Sequence, residues 1–188
     1  CNHRIWDTTA AQLRAQGHAV FAVDLEPVFT SIDDYVPILE SAVTSALLNS
    51  GQTQVALVGH SMGGLAIRAW MRKHGTDRVA RVLTLGTPHQ GTKLAKGSGT
   101  PNGLQMLWGS PWLATLAQGE DDAVRSLLRI AITPQDNIVY PQRPQTLPGI
   151  TPTVFPGIGH LQMCLDPDVN AWVLRELADL PPTLDGAQ

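Results

Sequence analysis

A short apolar run that leads straight into a glycine-rich turn is the feature that most constrains how this chain can fold. Residues 55–58 are Val-Ala-Leu-Val, and Gly59-His60-Ser61-Met62-Gly63-Gly64 follows them directly. An apolar run of this length, bounded by turn signals, is typical of a buried strand. The residues after the turn have a helical pattern that ends at Gly75. The sequence therefore predicts a strand, a sharp turn with Ser61 at its centre, and a helix to about His74.

Helix-like and strand-like segments also alternate along the rest of the chain. Helices are predicted from Trp6 to Gln16, from Ser31 to Asn49, and from Asp166-Pro167 to the prolines at 181–182. Further strands are predicted at 19–25, 79–85, 130–133 and 153–155. This alternation favours a mostly parallel sheet flanked by helices. We therefore expect one α/β domain over residues 1–188.

The segment from about 91 to 129 breaks the alternation and predicts an insertion between two strands, outside the sheet. It begins with Gly, Ser and Pro residues and continues with a cluster of large apolar side chains. The cluster consists of Leu104, Met106, Leu107, Trp108, Trp112, Leu113 and Leu116. Exposed apolar patches are typical of interaction sites, including lipid surfaces, which would make the insertion a lid. The alternative is that these side chains pack onto the core of the domain.

Composition and residue spacing disfavour several classes of function. Apolar residues make up 43% of the chain and charged residues 15%, and the net charge of −3 comes with no basic run. A nucleic-acid partner is therefore disfavoured. No His, Asp, Glu or Cys residues have metal-ligand spacing, so we expect neither a metal nor a cofactor. Cys1 and Cys164 are expected to be ordinary thiols; the alternative, a bridge between them, would indicate an oxidising compartment.

Ser61 lies in the setting in which a serine can act as a nucleophile. Glycine is expected to be required at Gly59 and Gly63, because larger side chains at these positions would collide with the adjoining strand and helix. The backbone N–H of Met62 would point to where an oxyanion forms, and the positive end of the following helix would assist it. The alternative is a glycine-rich turn that holds a serine without function. An active serine also needs a neighbouring base.

Three motifs stand in order along the chain: Gly-His-Ser-Met-Gly-Gly-Leu at 59–65, Leu-Gly-Thr-Pro-His-Gln-Gly-Thr at 85–92, and Gly-Ile-Gly-His at 157–160. Together they resemble the bacterial esterase/lipase branch of the α/β-hydrolase fold. In that fold the catalytic residues occur in the order Ser, Asp or Glu, His. The resemblance implies that Asp136 is the acid and His160 is the base. Each of these two residues lies just beyond a predicted strand.

Other acids and histidines compete with these two. Asp121 and Asp122 lie in the insertion, and Asp166 and Asp168 are expected to cap the last helix. The remaining histidines are His60, which points away from the site in the resembling family; His89, which the family uses structurally; and His3, His18 and His74, expected at the surface or in loops.

The resemblance also implies parts that this sequence does not contain. In the family, the second oxyanion donor follows an earlier strand and a His-Gly pair, and Cys1-Asn2-His3 resemble the residues directly after that pair. We therefore expect the second donor near Cys1 or upstream. The earlier strand would lie between those at 19–25 and 55–58, and its absence would leave buried backbone groups unpaired. Our hypothesis is that the 188 residues are part of a longer protein and fold poorly alone.

The implied function is hydrolysis of carboxylic esters, most readily lipid or acylglycerol esters, through an acyl-enzyme on Ser61. The segment at 104–116 would make transient contact with a lipid interface. The same three side chains also serve amidases and acyltransferases, and the fold does not decide among them. A non-catalytic binding protein on the same fold is a further alternative. It is disfavoured because Ser61, Asp136 and His160 are all intact.

Overall fold

Helices and strands alternate along the computed structural model, which describes residues 3–180. The helices are α1 (Asp7–Ala15), α2 (Val36–Ser50), α3 (Met62–His74), α4 (Pro101–Gln105), α5 (Pro111–Gln118), α6 (Asp122–Ser126) and α7 (Pro167–Leu177). The strands are β1 (Val55–His60), β2 (Val79–Leu85), β3 (Leu128–Ile132) and β4 (Thr153–Val154). Short 3-10 turns occupy His3–Trp6, Ile32–Tyr35, Lys93–Ala95 and Leu161–Cys164.

The four strands form one parallel sheet in the order β1-β2-β3-β4. Leu57 of β1 lies opposite Val82 of β2, and Thr84 of β2 lies opposite Ile130 of β3. Since all four strands run in the same direction, their carboxyl ends meet at one edge of the sheet. The prediction of an α/β fold with a parallel sheet flanked by helices is confirmed.

Helices cover both faces of the sheet. Successive side chains of a strand point to opposite faces, so an apolar strand needs helices on both sides to be buried. Val82 packs into one apolar cluster with residues of α2 and α3, including Trp70. Leu83 and Leu85 pack into a second cluster with α1 and α7, including Trp172. The near-continuous apolar run of β2 is therefore buried on both of its faces, as in other parallel sheets.

Local signals in the sequence account for several of the helix ends. The carboxylate of Asp166 accepts hydrogen bonds from the backbone N–H groups of Asp168 and Val169, so it caps α7 as predicted. Gly51 ends α2 with a φ of 68°, a left-handed conformation that favours glycine. Helix α7 ends at Leu177, before the predicted stop at prolines 181–182, which lie outside the described residues.

The predicted strand at 19–25 is wrong. Within residues 3–180 the sheet begins at β1, and the segment 19–25 runs as irregular backbone. A cavity of about 390 Å³ lies between this segment and β1, with walls that include Val20, Val23 and Val58. The apolar composition of segment 19–25 is typical of a strand, but none of the described strands pairs with it in a ladder.

The segment between β2 and β3 contains the short helices α4, α5 and α6, which lie outside the sheet. Strand β3 begins at Leu128, two residues before the expected boundary. Of the apolar cluster, Leu113 and Leu116 are buried in the main core and Leu104 is exposed. Met106, Leu107, Trp108 and Trp112 are half-buried. Among the described helices, none combines the length and the apolar character that crossing a membrane requires.

Candidate active site

The carboxyl ends of the strands bring together residues that are far apart in the sequence. Ser61 follows β1, Gly86 follows β2, Asp136 lies a few residues beyond β3, and His160 lies beyond β4. In open parallel sheets, binding and catalytic sites form at this edge, because the loops that leave parallel strands converge there. The topology alone therefore places these residues at the same edge of the sheet, where the carboxyl ends of the strands meet.

Ser61 occupies a strained turn between β1 and α3. Its φ of 55° makes it the one non-glycine residue with a positive φ in the described part of the chain. Such backbone conformations persist only where the surrounding structure enforces them, and they cluster at functional sites. Here the Ser61 N–H donates to the carbonyl of Leu85 at 2.9 Å, and the Ser61 carbonyl accepts from Gly64 N–H at 3.1 Å.

The glycines around Ser61 are required at positions that differ in part from those expected. A Cβ at Gly59 would lie 2.7 Å from the Gly64 nitrogen, so this glycine is needed for close approach, as expected. The expected collision at Gly63 is wrong, because a Cβ there would meet nothing within 4 Å. The crowded position is Gly64, which packs against the side chain of Thr87. The extra glycine therefore allows α3 to approach the loop that follows β2.

Asp136 and His160 form a buried hydrogen bond. His160 Nδ1 lies 2.7 Å from Asp136 Oδ2, and both side chains are almost completely buried. The other carboxylate oxygen, Oδ1, accepts the backbone N–H groups of Ile138 at 2.8 Å and Val139 at 2.7 Å. The sequence indicated Asp136 and His160 separately, and the structure places them in direct contact.

These contacts determine the charge of Asp136 and the tautomer of His160. Burial on its own would raise the pKa of Asp136. The hydrogen bonds from His160, Val139 and Ile138 outweigh that effect and hold the pKa below its ordinary value. An ionised carboxylate only accepts hydrogen bonds, so His160 Nδ1 carries the proton. In the neutral ring, Nε2 is then left as an acceptor, which is the state that a general base needs.

Gly86 lies between the strand end that binds Ser61 and the pair of Asp136 and His160. This role was not identified from the sequence. Gly86 follows Leu85, the residue that accepts the Ser61 N–H, and it has a φ of 56°. A Cβ at Gly86 would lie 3.2 Å from His160 Nδ1 and 3.4 Å from Asp136 Oδ2. The signal that was available is a glycine immediately after a buried strand, where a backbone often approaches another group closely.

His60 faces the site, in contrast to the expectation that it points away. Its ring is buried, and its Nε2 lies 3.0 Å from the backbone carbonyl oxygen of His160. The two histidine rings are 4.6 Å apart between centroids, with an angle of 46° between their planes. Burial first, and then the charge of His160, lower the pKa of His60 to about 4.

His89 lies in a buried polar network behind the site. Its Nε2 is 2.9 Å from Thr84 Oγ1, and its Nδ1 is 3.3 Å from Arg68 Nη1. Burial, together with the positive charge of Arg68, lowers the pKa of His89 well below its usual value. Arg68 also forms two hydrogen bonds with Glu120, at 2.7 and 2.8 Å. The network links α3 to the insertion, which agrees with the expected structural role of His89.

The competing acids are engaged elsewhere. Asp121 caps α6 by accepting the N–H of Val124 at 2.9 Å, and Asp122 pairs with Arg125 on the surface. Asp166 caps α7, and Asp168 lies in the first turn of that helix.

Among the competing histidines, His3 pairs with Asp24, and His74 lies 3.4 Å from Glu40. His18 is half-buried.

The oxyanion donors are only partly described. Met62 is the first residue of α3, so no carbonyl within the helix accepts its N–H. Cys1, near which the second donor is expected, lies outside the described residues.

Cys164 is a free, buried thiol, and burial raises its pKa to about 12.

A family model described as a PGAP1-like alpha/beta domain matches residues 13–152, which is most of the chain. Two curated relatives, triacylglycerol lipases from Pseudarthrobacter phenanthrenivorans and Burkholderia plantarii, are each 43% identical over 53 residues, or 28% of this chain. The matched region spans only 16% and 14% of those two proteins.

Solved structures share the fold at low sequence identity. Bacillus licheniformis lipase BlEst2 in its mature form matches 94% of this chain and 87% of that chain, with a TM-score of 0.76 and 17% identity. Aspergillus fumigatus lipase B matches 96% and 51%, with a TM-score of 0.73 and 16% identity. Phospholipase PlaB from Legionella pneumophila matches 93% and 56%, with a TM-score of 0.72 and 13% identity. The expected α/β-hydrolase fold is therefore confirmed.

Proposed function

The chain belongs to the PGAP1-like alpha/beta domain family, and from that premise we propose that it hydrolyses carboxylic esters through an acyl-enzyme on Ser61. The observation that carries the proposal is the 2.7 Å hydrogen bond between Asp136 and His160, at the same edge of the sheet as Ser61. A strained serine, a histidine with the correct tautomer and an ionised acid are the parts that acyl transfer requires.

In the proposed reaction, Ser61 Oγ attacks the ester carbonyl and gives its proton to His160 Nε2. Asp136 holds the imidazole and stabilises the imidazolium that forms. The tetrahedral oxyanion accepts the N–H of Met62 at the positive end of α3. His160 then protonates the departing alkoxide, which leaves the acyl group on Ser61. A water molecule, deprotonated by His160, attacks the acyl-enzyme. When the bond between the acyl carbon and Ser61 Oγ breaks, His160 returns this proton to Oγ, and the carboxylic acid leaves.

The substrates in this proposal are lipid or acylglycerol esters. The short region of 43% identity to two triacylglycerol lipases supports this class. The 104–116 segment of the insertion supports it as well, since Leu104 is 56% exposed there. An exposed apolar side chain on an insertion is suited to contact with the surface of a lipid aggregate.

The first test is covalent labelling of the full-length protein with a fluorescent alkyl phosphonate, with mass spectrometry to locate the adduct. We expect one adduct on Ser61, lost in Ser61→Ala and retained in Ser45→Ala, which changes an exposed serine on α2. Folded wild-type protein without an adduct would contradict an activated serine and favour a non-catalytic binding protein. Product analysis with competing alcohol and water then separates hydrolysis from acyl transfer.

The second test concerns the lipid interface. Activity on a short-chain ester is followed from below to above its solubility limit, and we expect it to rise when the aggregate forms. Leu104→Ser should reduce that rise, whereas Leu48→Ser, 79% exposed on α2, should leave it unchanged. Equal turnover of dissolved and aggregated ester would contradict the interface contact but leave the ester-hydrolase proposal intact.

A further inference from the structure

His60 connects the strand that carries Ser61 to the backbone of His160. It is the last residue of β1, directly before Ser61, and only 7% of it is exposed. The acceptor is a carbonyl oxygen, 3.0 Å from His60 Nε2. A carbonyl cannot donate a hydrogen bond, so His60 Nε2 carries the hydrogen. The bond thus runs from the residue beside the serine to the main chain of the histidine.

Two further contacts hold His160, and both come from a different part of the chain. Its ring Nδ1 is 2.7 Å from Asp136 Oδ2, and its backbone N–H points to Asn137 Oδ1 at 3.4 Å. Asp136 and Asn137 both belong to the loop after β3, so these contacts tie His160 to that loop and not to β1. Of these three hydrogen bonds, the one from His60 is the one that links His160 to the strand of Ser61.

We propose that His60 is a positioning residue that sets the distance between His160 Nε2 and Ser61 Oγ. The inference rests on the proposed function, because it assigns His60 a part in the same reaction. Proton transfer needs donor and acceptor within hydrogen-bond reach. A displacement of about 1 Å at a reacting group can cost about 100-fold in rate. A rigid strand end that presents the serine and also holds the base would prevent such a displacement.

The environment of His60 suits a neutral hydrogen-bond donor. Burial and the adjacent His160 lower its pKa to about 4, so the ring is uncharged at neutral pH. A charged ring 4.6 Å from His160 would oppose formation of the imidazolium during the reaction. An uncharged ring can donate to the carbonyl without that repulsion.

A pair of variants separates positioning from packing. His60→Phe keeps an aromatic ring of similar size and removes the donor. His60→Gln keeps an N–H donor at a similar distance from the backbone. On a soluble ester we expect His60→Phe to lower kcat by about 10- to 100-fold with KM nearly unchanged, and to slow phosphonate labelling of Ser61 in proportion. We expect His60→Gln to recover most of the loss. Thermal melts identify any variant that has not folded.

The outcomes distinguish this inference from the proposed function. If wild-type Ser61 is labelled and folded His60→Phe reacts at the wild-type rate, the positioning role is wrong and the ester-hydrolase proposal stands. The role is also wrong if His60→Gln and His60→Phe lose activity equally while both remain folded, because a packing defect would then explain the loss. If wild-type Ser61 is not labelled, the proposed function itself is contradicted.

Discussion

At the scale of single residues, close backbone approach decides the geometry of the candidate site. Gly86 lies between the strand end that binds the Ser61 N–H and the pair of Asp136 and His160. Its φ of 56° is one that L side chains rarely adopt. A glycine there lets the acid and the histidine lie directly above the end of β2. We infer that the residue matters for alignment although it contributes no reactive group.

Gly86→Ala tests this inference. The added methyl group would lie within 3.4 Å of both Asp136 and His160, and the positive φ would be strained, at a cost of about 1–3 kcal/mol in the free energy of unfolding. We expect kcat to fall by about 10- to 100-fold, because His160 must move. Gly99→Ala is the control, since a Cβ at Gly99 meets nothing within 4 Å. An unchanged kcat in folded Gly86→Ala would exclude the alignment role.

At the scale of elements, a buried ion pair holds the insertion to the helix that begins after Ser61. Arg68 of α3 contacts Glu120, which lies between α5 and α6, through two hydrogen bonds, and both side chains are buried. Near the other end of α5, Trp112 Nε1 donates to Asp33 Oδ2 at 2.8 Å. The insertion is therefore anchored in the first turn of α5, by Trp112, and just beyond the end of α5, by Glu120.

Removing one charge of the buried pair should destabilise the protein. Glu120→Gln leaves Arg68 buried without a counter-charge, which typically costs about 3–5 kcal/mol in the free energy of unfolding. We also expect faster proteolysis within 91–129, because the insertion loses an anchor. Asp122→Asn is the control, since this carboxylate is fully exposed and pairs with Arg125 at the surface. Urea denaturation and limited proteolysis measure both effects, and equal behaviour of the two variants would contradict the anchor.

A second ion pair, between α2 and the start of β2, predicts a pH-dependent contribution to stability. The Glu40 carboxylate accepts two hydrogen bonds from Arg78, at 3.0 and 2.8 Å, and one from Trp70 Nε1 at 2.9 Å. The Arg78 contacts, as the main cause, lower the pKa of Glu40 from 4.5 to about 2. A lowered folded-state pKa stabilises the fold above the unfolded value, and this stabilisation is lost as the pH falls from 4.5 to about 2.

Glu40→Gln should therefore reduce the free energy of unfolding at neutral pH by about 1–2 kcal/mol, a value that allows for partial solvent screening. The difference in the free energy of unfolding between this variant and the wild type should shrink as the pH falls below 4.5. It should be nearly gone at a pH of about 2. Denaturant melts across this range measure it. A difference that is the same at both ends of the range would mean that charge is not its cause.

At the scale of the whole molecule, the sheet formed by residues 3–180 ends at an open edge. Strand β1 pairs with β2 on one side, and the apolar cavity of about 390 Å³ lies on its other side. Apolar side chains face solvent nearby, with Phe21 43% exposed. Unpaired strand edges and exposed apolar surface both lower stability and promote aggregation. The exposed edge at β1 is therefore expected to lower the stability of the fold.

We expect the 188-residue chain alone to melt at low temperature and without a sharp transition. It should also bind a hydrophobic dye in the absence of denaturant, because the cavity wall and Phe21 are accessible. Calorimetry and dye fluorescence measure these properties. A single cooperative transition of the 188-residue chain at ordinary temperatures, with no dye binding, would contradict the expectation.

Much of the fold could be predicted because its signals are local. The strands at 55–58 and 79–85 are apolar runs, and Gly51, Gly75 and Asp166 mark helix ends through backbone preference and capping. These effects act over a few residues, so the sequence alone contains them. The segment 19–25 has the same kind of apolar run, yet it is not a strand. A ladder requires a neighbouring backbone, and a local pattern contains no information about neighbours.

The sequence by itself determined the alternation of helices and strands, the turn at Ser61 and the choice of Asp136 and His160 as candidates. Only the tertiary structure decided that Asp136 contacts His160, that His60 turns towards His160, and that Gly86 lies against the pair. These contacts join residues separated by 24 to 100 positions. The physical reason is that propensity and capping act between neighbours in the chain, whereas contacts between strand ends depend on how the strands are ordered in the sheet.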